Sequence, residues 1–406
     1  MNLLILTQYF YPEQFRINAI AQELLKRGHT VTVLTGHPNY PKGKTYTGYK
    51  PYQLKKELWD GITIYRVPII PRGKGKNIQL MLNYLSFMIN SSIFSLFLKN
   101  KKFDACFVHQ PGPIFKALAG VVLKKLYKVP LHLWVQDLWP DTLSATGRLK
   151  APLVEKVIHR FVRLIYQNTD QIWVSSEAFI SSIMRFGPKK NPIYLPNTCE
   201  DFYQPVSTLE RQLMPDMPDG FKVMFTGNVG SAQALPTIIE AAKILKDRDD
   251  IKWVIVGVGS ELEKAKSLVK KYTLETRVIF LGGFPATSMP QIIAHADVCL
   301  ATLNKSPIFS LTLPAKIQSY MACAKPIICA IDGEASRVIN EANCGVAVES
   351  ENPNALANAV IALRDRSIEN KAQLGKNGRI YYEKHFQFSS VIDKLTSIIT
   401  KEQKDT

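Results

Sequence analysis

Three glycine-containing turns in the second half of the chain are the first candidates for chemistry. They follow apolar segments that predict buried strands, and they comprise residues 225–231, 256–261 and 281–285. Glycine lets a ligand approach the backbone closely, and the N-terminus of a following helix favours an anion such as a diphosphate. Each turn alone is common between a strand and a helix. Three in order within one half of the chain favour a nucleotide site.

A lysine lies where a phosphate would need a positive charge. Residues 311–326 predict a loop, then a helix that opens near Pro314, and a strand that begins after Pro326. Lys316 falls in the first turn of that helix, where the helix dipole alone disfavours a cation. A phosphate beside Lys316 would explain this position, and a solvated surface lysine is the alternative interpretation.

The elements that must position these residues form two successive α/β patterns. Strand signals alternate with helical ones almost throughout, which is typical of parallel sheets covered by helices. Proline and glycine punctuate a weakly periodic segment near residues 197–220. We therefore predict domains at 1–200 and 201–385, with a final helix within 386–406 that crosses back to the first domain.

Composition and cysteine spacing narrow the class of protein. Hydrophobic residues make up 46% of the chain and charged residues 21%, which is ordinary for folded domains. The six cysteines form no Cys-x-x-Cys or Cys/His cluster, so they predict reduced core residues and neither a disulfide framework nor a zinc site. The apolar N-terminus lacks the basic lead of a secretory signal.

The positive charge is concentrated in the first half of the chain. Residues 1–200 hold 27 Lys and Arg against 11 Asp and Glu, whereas residues 201–406 hold 24 against 23. A one-sided excess favours an anionic partner: a membrane surface, a phosphorylated lipid or nucleic acid. Solubility alone is the alternative. Nucleic acid is disfavoured because the charges do not cluster on one helix with interleaved aromatic residues.

One apolar segment, Ile78–Leu98, is long enough to span a bilayer. Asparagine, glutamine and serine residues interrupt it, and it lies where the first domain needs a helix, so we expect a helix that does not span. Basic residues flank it at Arg72, Lys74 and Lys76 and again between Lys99 and Lys102. Two interpretations stay open: a helix lying against anionic headgroups, and a core helix with solvated ends.

Several motifs are similar to those of one enzyme family. They are Lys26–Val33, Leu195–Asn197, Ala296–Val298 and, most specific, Tyr320–Pro326. Through them nearly the whole chain resembles the retaining glycosyltransferases of family 4, which have the GT-B fold, two Rossmann-like α/β domains with a cleft between them. Five further motifs resemble the WbuB-like branch of O-antigen and capsule transferases, several of which are assigned N-acetylfucosamine: Gln8–Glu13, His37–Pro41, Trp134–Pro140, Gly227–Gln233 and Leu313–Lys316.

The resemblance implies a nucleotide-sugar donor, with UDP the expected nucleotide, but the family's usual donor contacts are replaced. Its two glutamates correspond to Leu311 and Ser319, and its Arg and Lys diphosphate pair to Asn228 and Gln233. Amide hydrogen bonds and the charge of Lys316 are the expected substitutes, and Arg337 is a second possible cation. The expected donor-binding residues are Gly227, Asn228, Gln233, Gly257, Gly259, Gly283, Phe284, Pro314, Lys316, Gln318, Ser319 and Arg16.

On the acceptor side the resemblance singles out residues that follow strands of the first domain. Asp137 follows the segment Leu131–Val135 and is the expected catalytic residue, either accepting the acceptor hydroxyl proton or orienting the donor. Capping of the next turn is the equally weighted alternative. His109 is an acceptor candidate, and Arg72, Lys74 and Lys76 are acceptor or membrane candidates.

The expected activity is transfer of a sugar, with retention, to an undecaprenyl-diphosphate-linked saccharide at the inner face of the cytoplasmic membrane, in O-antigen, capsule or exopolysaccharide synthesis. No cofactor is expected, and no metal, because the acidic run Asp247–Asp250 is interpreted as a solvated helix end. A sugar-nucleotide epimerase of the same architecture is the alternative enzyme, and a basic nucleic-acid-binding protein is a further alternative of another class.

Overall fold

Short apolar strands and amphipathic helices alternate along the chain, and they assemble into two separate units. The structure, a computed structural model, describes residues 1–74, 77–99, 102–145, 152–206 and 216–404. One unit comprises Met1–Pro196 with Val391–Thr406, and the other comprises Asn197–Ser390. Each is a Rossmann-like α/β domain built on its own sheet.

In the part of the chain that the structure describes, the first unit is built on an eight-stranded sheet. Its strands are β1 (Asn2–Leu6), β2 (Thr30–Gly36), β3 (Lys55–Trp59), β4 (Ile62–Val67), β5 (Ala105–Gln110), β6 (Leu131–Val135), β7 (Gln171–Val174) and β8 (Ile193–Tyr194). The spatial order is β3-β4-β2-β1-β5-β6-β7-β8, and every strand is parallel to its neighbours except β3. The central strands are continuous apolar runs because helices cover both faces of the sheet.

Strand β3 is the one first-unit strand that the hydrophobic pattern did not predict. It lies at the sheet edge, antiparallel to β4, and carries Lys55, Lys56 and Glu57. Its side chains alternate between half-buried and exposed. Charged residues are typical of edge strands, where they discourage pairing with another chain, and they conceal the strand in the sequence.

The described helices of the first unit are α1 (Arg16–Lys26), α2 (Asn77–Ser95), α3 (Leu118–Tyr127), α4 (Asp141–Ala145), α5 (Pro152–Asn168) and α6 (Phe179–Met184). The last helix, α15 (Phe388–Lys404), belongs to this unit from Val391 onward. The strands β4, β5, β6 and β7 follow one another across the sheet in the same direction. Because such crossovers are right-handed, the connecting helices α2, α3 and α5 lie on one face of the sheet. Direct packing of α2 on α3, and of α3 on α5, agrees with this layer.

The described part of the second unit holds a parallel six-stranded sheet, ordered β11-β10-β9-β12-β13-β14. The strands are β9 (Phe221–Thr226), β10 (Ile251–Val256), β11 (Val278–Gly282), β12 (Val298–Thr302), β13 (Ile327–Ala330) and β14 (Gly345–Val348). The helices are α7 (Leu235–Ile244), α8 (Leu262–Lys271), α9 (Met289–Ala294), α10 (Pro307–Ser310), α11 (Ala315–Ala322), α12 (Glu334–Glu341), α13 (Pro353–Arg364) and α14 (Ile368–His385). All six strands coincide with apolar runs in the sequence, since both faces of this sheet are also covered.

Candidate functional site

The second unit has a topological switch point at β9. The chain passes from β9 to β10 on one side and later returns to β12 on the other. Loops leaving the carboxyl ends of two such strands diverge, which opens a crevice where ligands bind. Thr302 Oγ1 donates to the carbonyl of Gln233 at 2.6 Å, and Asn304 Nδ2 donates to the carbonyl of Ser231 at 2.9 Å. The loop after β9 is therefore fixed at this crevice.

The three glycine turns lie against one another at the same edge of the sheet. The amide of Gly227 donates to the carbonyl of Val256 at 2.8 Å, and the amide of Gly257 donates to the carbonyl of Gly282 at 2.7 Å. A Cβ at Gly257 would lie 1.8 Å from the carbonyl oxygen of Gly227, and one at Gly259 would lie 2.2 Å from that of Val229. Gly257 and Gly259 thus allow their backbone to approach the backbone of a neighbouring turn. The sequence predicts a close approach to a ligand at these glycines, and not this packing role.

Lys316 lies in the first turn of α11 and reaches the loop after β9. Its Nζ donates to Gln233 Oε1 at 2.8 Å and lies 3.6 Å from the ring centroid of Phe225. A Cβ on Gly227 would lie 3.8 Å from Lys316 Cε. The structure thus brings together three residues that were predicted separately: Gly227, Gln233 and Lys316.

The ammonium of Lys316 forms no ion pair with a carboxylate of the described residues, since the amide oxygen of Gln233 and the face of Phe225 are its partners. Burial lowers the pKa of Lys316 to about 7, because desolvation disfavours the charged form. An anion placed beside Lys316 would restore the charge and raise the pKa. A diphosphate contact by Lys316 stays a prediction.

Helix α11 carries three predicted donor residues besides Lys316. Gln318 is completely buried, and its amide, oriented with the nitrogen towards the helix start, donates to the carbonyls of Pro314 and Ala315, each at 3.1 Å. This pairing favours a structural role, and donor binding by Gln318 stays a prediction. Ser319 is buried as well, with its hydroxyl 3.5 Å from the Ala315 carbonyl. Pro314 is half-buried and caps the helix. Donor contacts by Ser319 and Pro314 remain predictions.

The remaining donor candidates lie at or near the turns. Asn228 is exposed at the tip of the loop after β9, and Gly283 and Phe284 are respectively exposed and half-buried in the turn after β11. Arg337 lies on α12 and pairs with Glu334 at 2.8 Å and with Glu341 at 2.6 Å. Two carboxylates already neutralise this guanidinium, so Lys316 is the better candidate for a phosphate contact.

In the first unit, Asp137 is bound within its own turn. Its Oδ1 accepts from the Thr142 hydroxyl at 2.6 Å, and its Oδ2 accepts from the indole Nε1 of Trp139 at 3.0 Å. Burial raises the pKa of Asp137, and these two hydrogen bonds and Lys116 oppose that shift. Both donors are side chains and not backbone amides, so these bonds fix the carboxylate without capping the helix, and catalysis by Asp137 stays a prediction.

Two other first-unit candidates are enclosed by neighbouring side chains. His109 is buried beside Thr7 and Trp134, and burial lowers its pKa to about 3, so its imidazole is neutral at pH 7; an acceptor contact by His109 stays a prediction. Arg72 is half-buried, and its acceptor or membrane role stays a prediction. Its guanidinium lies over the rings of Tyr9 and Tyr40, 5.5 and 5.3 Å from their centroids.

Three other cations complete the first-unit candidates. Arg16 begins α1 and is partly buried. Lys74 is exposed. Lys76 lies outside the described residues. Roles for Arg16 and Lys74 remain predictions.

Lys116 is a chemically notable residue that the sequence prediction missed. It lies in a short 3-10 turn, Ile114–Ala117, between β5 and α3, and is 2% exposed. Its Nζ is buried without a hydrogen-bond partner among the described residues, and burial lowers its pKa to about 7. In the sequence, a lysine before an apolar helix predicts only a solvated charge.

Replacing Lys116 with Met is expected to stabilise the protein, by about 1 to 2 kcal/mol at pH 6, because a buried ammonium is removed at similar volume. The folded pKa is lowered to about 7 from 10.5. The unfolded state therefore binds more protons between these values, and wild-type stability rises with pH across this window. The advantage of Lys116→Met should be full below pH 7 and shrink towards pH 10. Urea unfolding at pH 6 and pH 9.5, with the exposed Lys125→Met as control, measures it; a less stable variant at both pH values would contradict the assignment.

Helix α2 buries several of its polar residues and exposes a row of apolar ones. Asn83, Ser91 and Ser95 are completely buried. Large apolar side chains point outward at Ile78, Met81, Leu82, Ile89 and Ile93, and Leu96 and Phe97 continue this row in the 3-10 turn Leu96–Leu98. By length and composition alone, Ile78–Leu98 qualifies as a membrane-spanning helix of the described chain, and 28% of its most apolar window is buried. A helix that packs in a protein core buries its apolar face. Because the apolar face of α2 is exposed instead, it favours contact with an apolar partner.

In the part of the chain that the structure describes, no group of three or more His, Cys, Asp or Glu side chains is arranged to hold a metal ion. That the enzyme needs no metal stays a prediction. The six cysteines are free and buried, which fits the core role that their spacing predicts.

The two Rossmann-like units, each with its own parallel-rich sheet, fit the GT-B fold, and the family models define the class of protein as a glycosyltransferase. The family described as "Glycosyl transferases group 1" matches residues 215–381, and the "Glycosyl transferase 4-like domain" matches residues 14–198. The chain is therefore a glycosyltransferase with the GT-B fold: its first unit matches the 4-like domain and its second unit matches group 1.

Individual relatives have low sequence identity to this chain. The chain is 26% identical over 338 residues to the putative colanic acid biosynthesis glycosyl transferase WcaI of Escherichia coli K12, covering 79% of this chain and 81% of the relative. It is 20% identical to N-acetyl-alpha-D-glucosaminyl L-malate synthase of Bacillus anthracis, covering 80% and 89%. Among solved structures it is similar to sucrose-phosphate synthase of Thermosynechococcus elongatus (TM-score 0.77, 17% identity, both chains fully covered) and to HepE of Anabaena in complex with UDP-glucose (TM-score 0.73, 15% identity, 99% and 100% covered).

Proposed function

We propose that this glycosyltransferase takes its sugar from a UDP-linked donor held in the second unit, and transfers it with retention of configuration to a lipid-linked saccharide. The observation that carries the donor half is Lys316. Lys316 is half-buried at the sheet switch point, and among the described residues its ammonium contacts an amide oxygen and an aromatic face, so it is placed to bind an anion. Glycosyltransferases of this class bind a nucleotide sugar, and we propose that its diphosphate is the anion beside Lys316.

The chemistry of this site is electrostatic. As the bond from the sugar to the diphosphate breaks, negative charge grows on the leaving oxygen. Lys316 lies ready to stabilise that charge, and Gln233 holds its ammonium at 2.8 Å. Groups that are fixed before the reaction stabilise a transition state without reorganising. The protein's own cation serves in this proposal, so no cofactor or metal takes part.

The nucleotide and the pathway rest on similarity. HepE of Anabaena is described in complex with UDP-glucose, which supports a uridine nucleotide. Similarity to WcaI, described as a putative colanic acid biosynthesis transferase, supports a role in polysaccharide assembly. We propose O-antigen, capsule or exopolysaccharide synthesis within the WbuB-like branch, with N-acetylfucosamine as one candidate sugar.

The acceptor half rests on the first unit. Its basic excess and the outward apolar face of α2 support binding at an anionic membrane, where an undecaprenyl-diphosphate-linked saccharide would be presented. Lys99 and Lys102 are exposed beyond the end of α2, where each cation adds about 1 kcal/mol of attraction to such a surface. We propose a peripheral location on the inner face of the cytoplasmic membrane.

A donor panel tests this proposal. Purified protein is incubated with UDP-, GDP- and TDP-sugars, with and without lipid-linked acceptor, and products are identified by mass spectrometry. We expect a UDP-sugar to stabilise the protein thermally and to be consumed with the acceptor, and we expect excess EDTA to change the rate by less than about twofold, because Lys316 supplies the charge that a divalent ion otherwise provides. An epimerised sugar nucleotide formed without acceptor would overturn the transferase proposal, and abolition by EDTA would overturn the metal-free site.

A further inference from the structure

Helix α5 has an exposed face on which apolar and basic residues alternate. Leu153 and Val157 are 75% and 61% exposed, and Leu164 is 41% exposed. Lys156, Arg160 and Arg163 are exposed as well. Positions three and four apart share one side of a helix, so these six residues form a single stripe. We call this stripe the α5 face.

The opposite side of α5 shows that this exposure belongs to a well-anchored helix. Ile158, Val162, Ile165 and Tyr166 are buried. Phe161 packs edge-on against Phe115, with ring centroids 5.4 Å apart. Burial of one full side sets the rotation of the helix, so the α5 face is held outward by the fold.

The α5 face belongs to the same helix layer as the outward apolar face of α2. Helix α3 lies between them and packs on both. The Tyr127 hydroxyl, at the end of α3, donates to the Leu96 carbonyl beside α2 at 2.6 Å. Lys124 of α3 pairs with Asp170, which follows α5. At the exposed end of α3, Lys125, Leu126 and Lys128 add two cations and an apolar side chain. The apolar and basic surface therefore continues from one helix to the next.

We propose that the α5 face is a second membrane-docking element that binds anionic lipid headgroups with its cations and enters the interface with Leu153, Val157 and Leu164. Three cations lie on this stripe, and the one carboxylate of the helix, Glu155, lies off it, so the stripe complements an anionic surface. Interspersed apolar side chains fit a bilayer interface. The inference rests on the proposed lipid-linked acceptor and adds a two-helix footing, α2 and α5, that holds the first unit against the membrane.

The experiment measures binding of the whole protein to vesicles that contain no acceptor. Vesicles of phosphatidylcholine with 30% phosphatidylglycerol are compared with vesicles of phosphatidylcholine alone by co-sedimentation. The charge variant is Lys156→Glu with Arg160→Glu and Arg163→Glu, and the apolar variant is Leu153→Ser with Val157→Ser. Matched controls lie on α14 of the second unit: Lys376→Glu with Lys384→Glu, and Ile368→Ser with Ile380→Ser, whose isoleucines are 77% and 53% exposed.

We expect the charge variant to bind anionic vesicles about 100-fold more weakly than wild type, and the apolar variant about tenfold more weakly, while both α14 controls bind normally. Wild-type binding by both α5 variants would overturn the inference. So would a lipid-free dimer that the α5 variants convert to monomer, because the face would then be an interface between copies. UDP binding, measured on the same proteins, should be unchanged; failure of wild type itself to bind UDP would count against the proposed donor and not against the α5 face.

Discussion

Replacement of Lys316 by Met is expected to lower kcat/KM for the sugar donor about 100- to 1,000-fold, the loss typical of removing one preorganised group that stabilises leaving-group charge. The ammonium of Lys316 is held by Gln233 at 2.8 Å. Met has a similar volume and keeps the contact with Phe225 without the charge. Steady-state kinetics with the donor varied measure the effect, which should fall on both kcat and KM because the diphosphate is bound in the ground state and gains charge in the transition state.

Lys305→Met is the matched control for this experiment. Lys305 lies in the loop after β12 and is exposed in an ion pair with Glu349, so its loss should change kcat/KM by less than about twofold. Thermal unfolding of both variants shows whether the fold persists. A Lys316→Met enzyme as active as wild type would remove Lys316 from the donor site.

Substitution of Gly257 by Ala is expected to destabilise the second unit by about 2 to 3 kcal/mol. The added methyl would lie 1.8 Å from the carbonyl oxygen of Gly227, and the residue has a φ of +152°. Both the clash and the backbone conformation oppose the change, and the displaced group is backbone, which cannot rotate away. For a unit of this size the melting temperature should fall by about 5 to 10 °C, and donor affinity should fall with it, because the loop after β9 carries Gly227.

Gly283→Ala provides the comparison in the neighbouring turn. A Cβ there would lie 3.3 Å from the nearest atom, a side-chain carbon of Val258 that is free to adjust, so we expect a loss below about 1 kcal/mol. Differential scanning calorimetry of both variants measures the difference. Equal melting temperatures would show that the turns are not packed as the structure has them.

The fold was largely predictable because both sheets are covered on both faces. Their strands are then apolar runs, as in β9 and β10, and such runs are visible in a single sequence. Strand β3 was missed for the converse reason: an edge strand exposes alternate side chains, and Lys55, Lys56 and Glu57 conceal its pattern. The outward face of α2 was not predictable either, because a composition rich in apolar residues does not tell which side is buried.

The site was predictable as far as strand ends and glycine turns reveal it. Lys316 was identified from its position at a helix start, which is a local property. The burial of Gln318 on the same helix was not predictable, because the hydrogen bonds from its amide to Pro314 and Ala315 depend on the packing. Arg72 was treated as a solvated charge, since nothing local indicates that the rings of Tyr9 and Tyr40 lie beside it. Lys116 was overlooked for the same reason: burial of a cation is a tertiary property.

Proton uptake on UDP binding at pH 8 tests the central claim, that Lys316 holds the donor diphosphate, most directly. Its pKa is lowered to about 7, so most of the free enzyme carries a neutral amine at this pH, and a bound diphosphate should draw a proton onto it. Titration calorimetry in buffers of different ionisation enthalpy counts that proton. We expect the wild-type protein to take up nearly one proton when it binds UDP, and Lys316→Met to take up none and to bind UDP more weakly. Equal affinity of the two proteins, with no proton taken up by either, would contradict it.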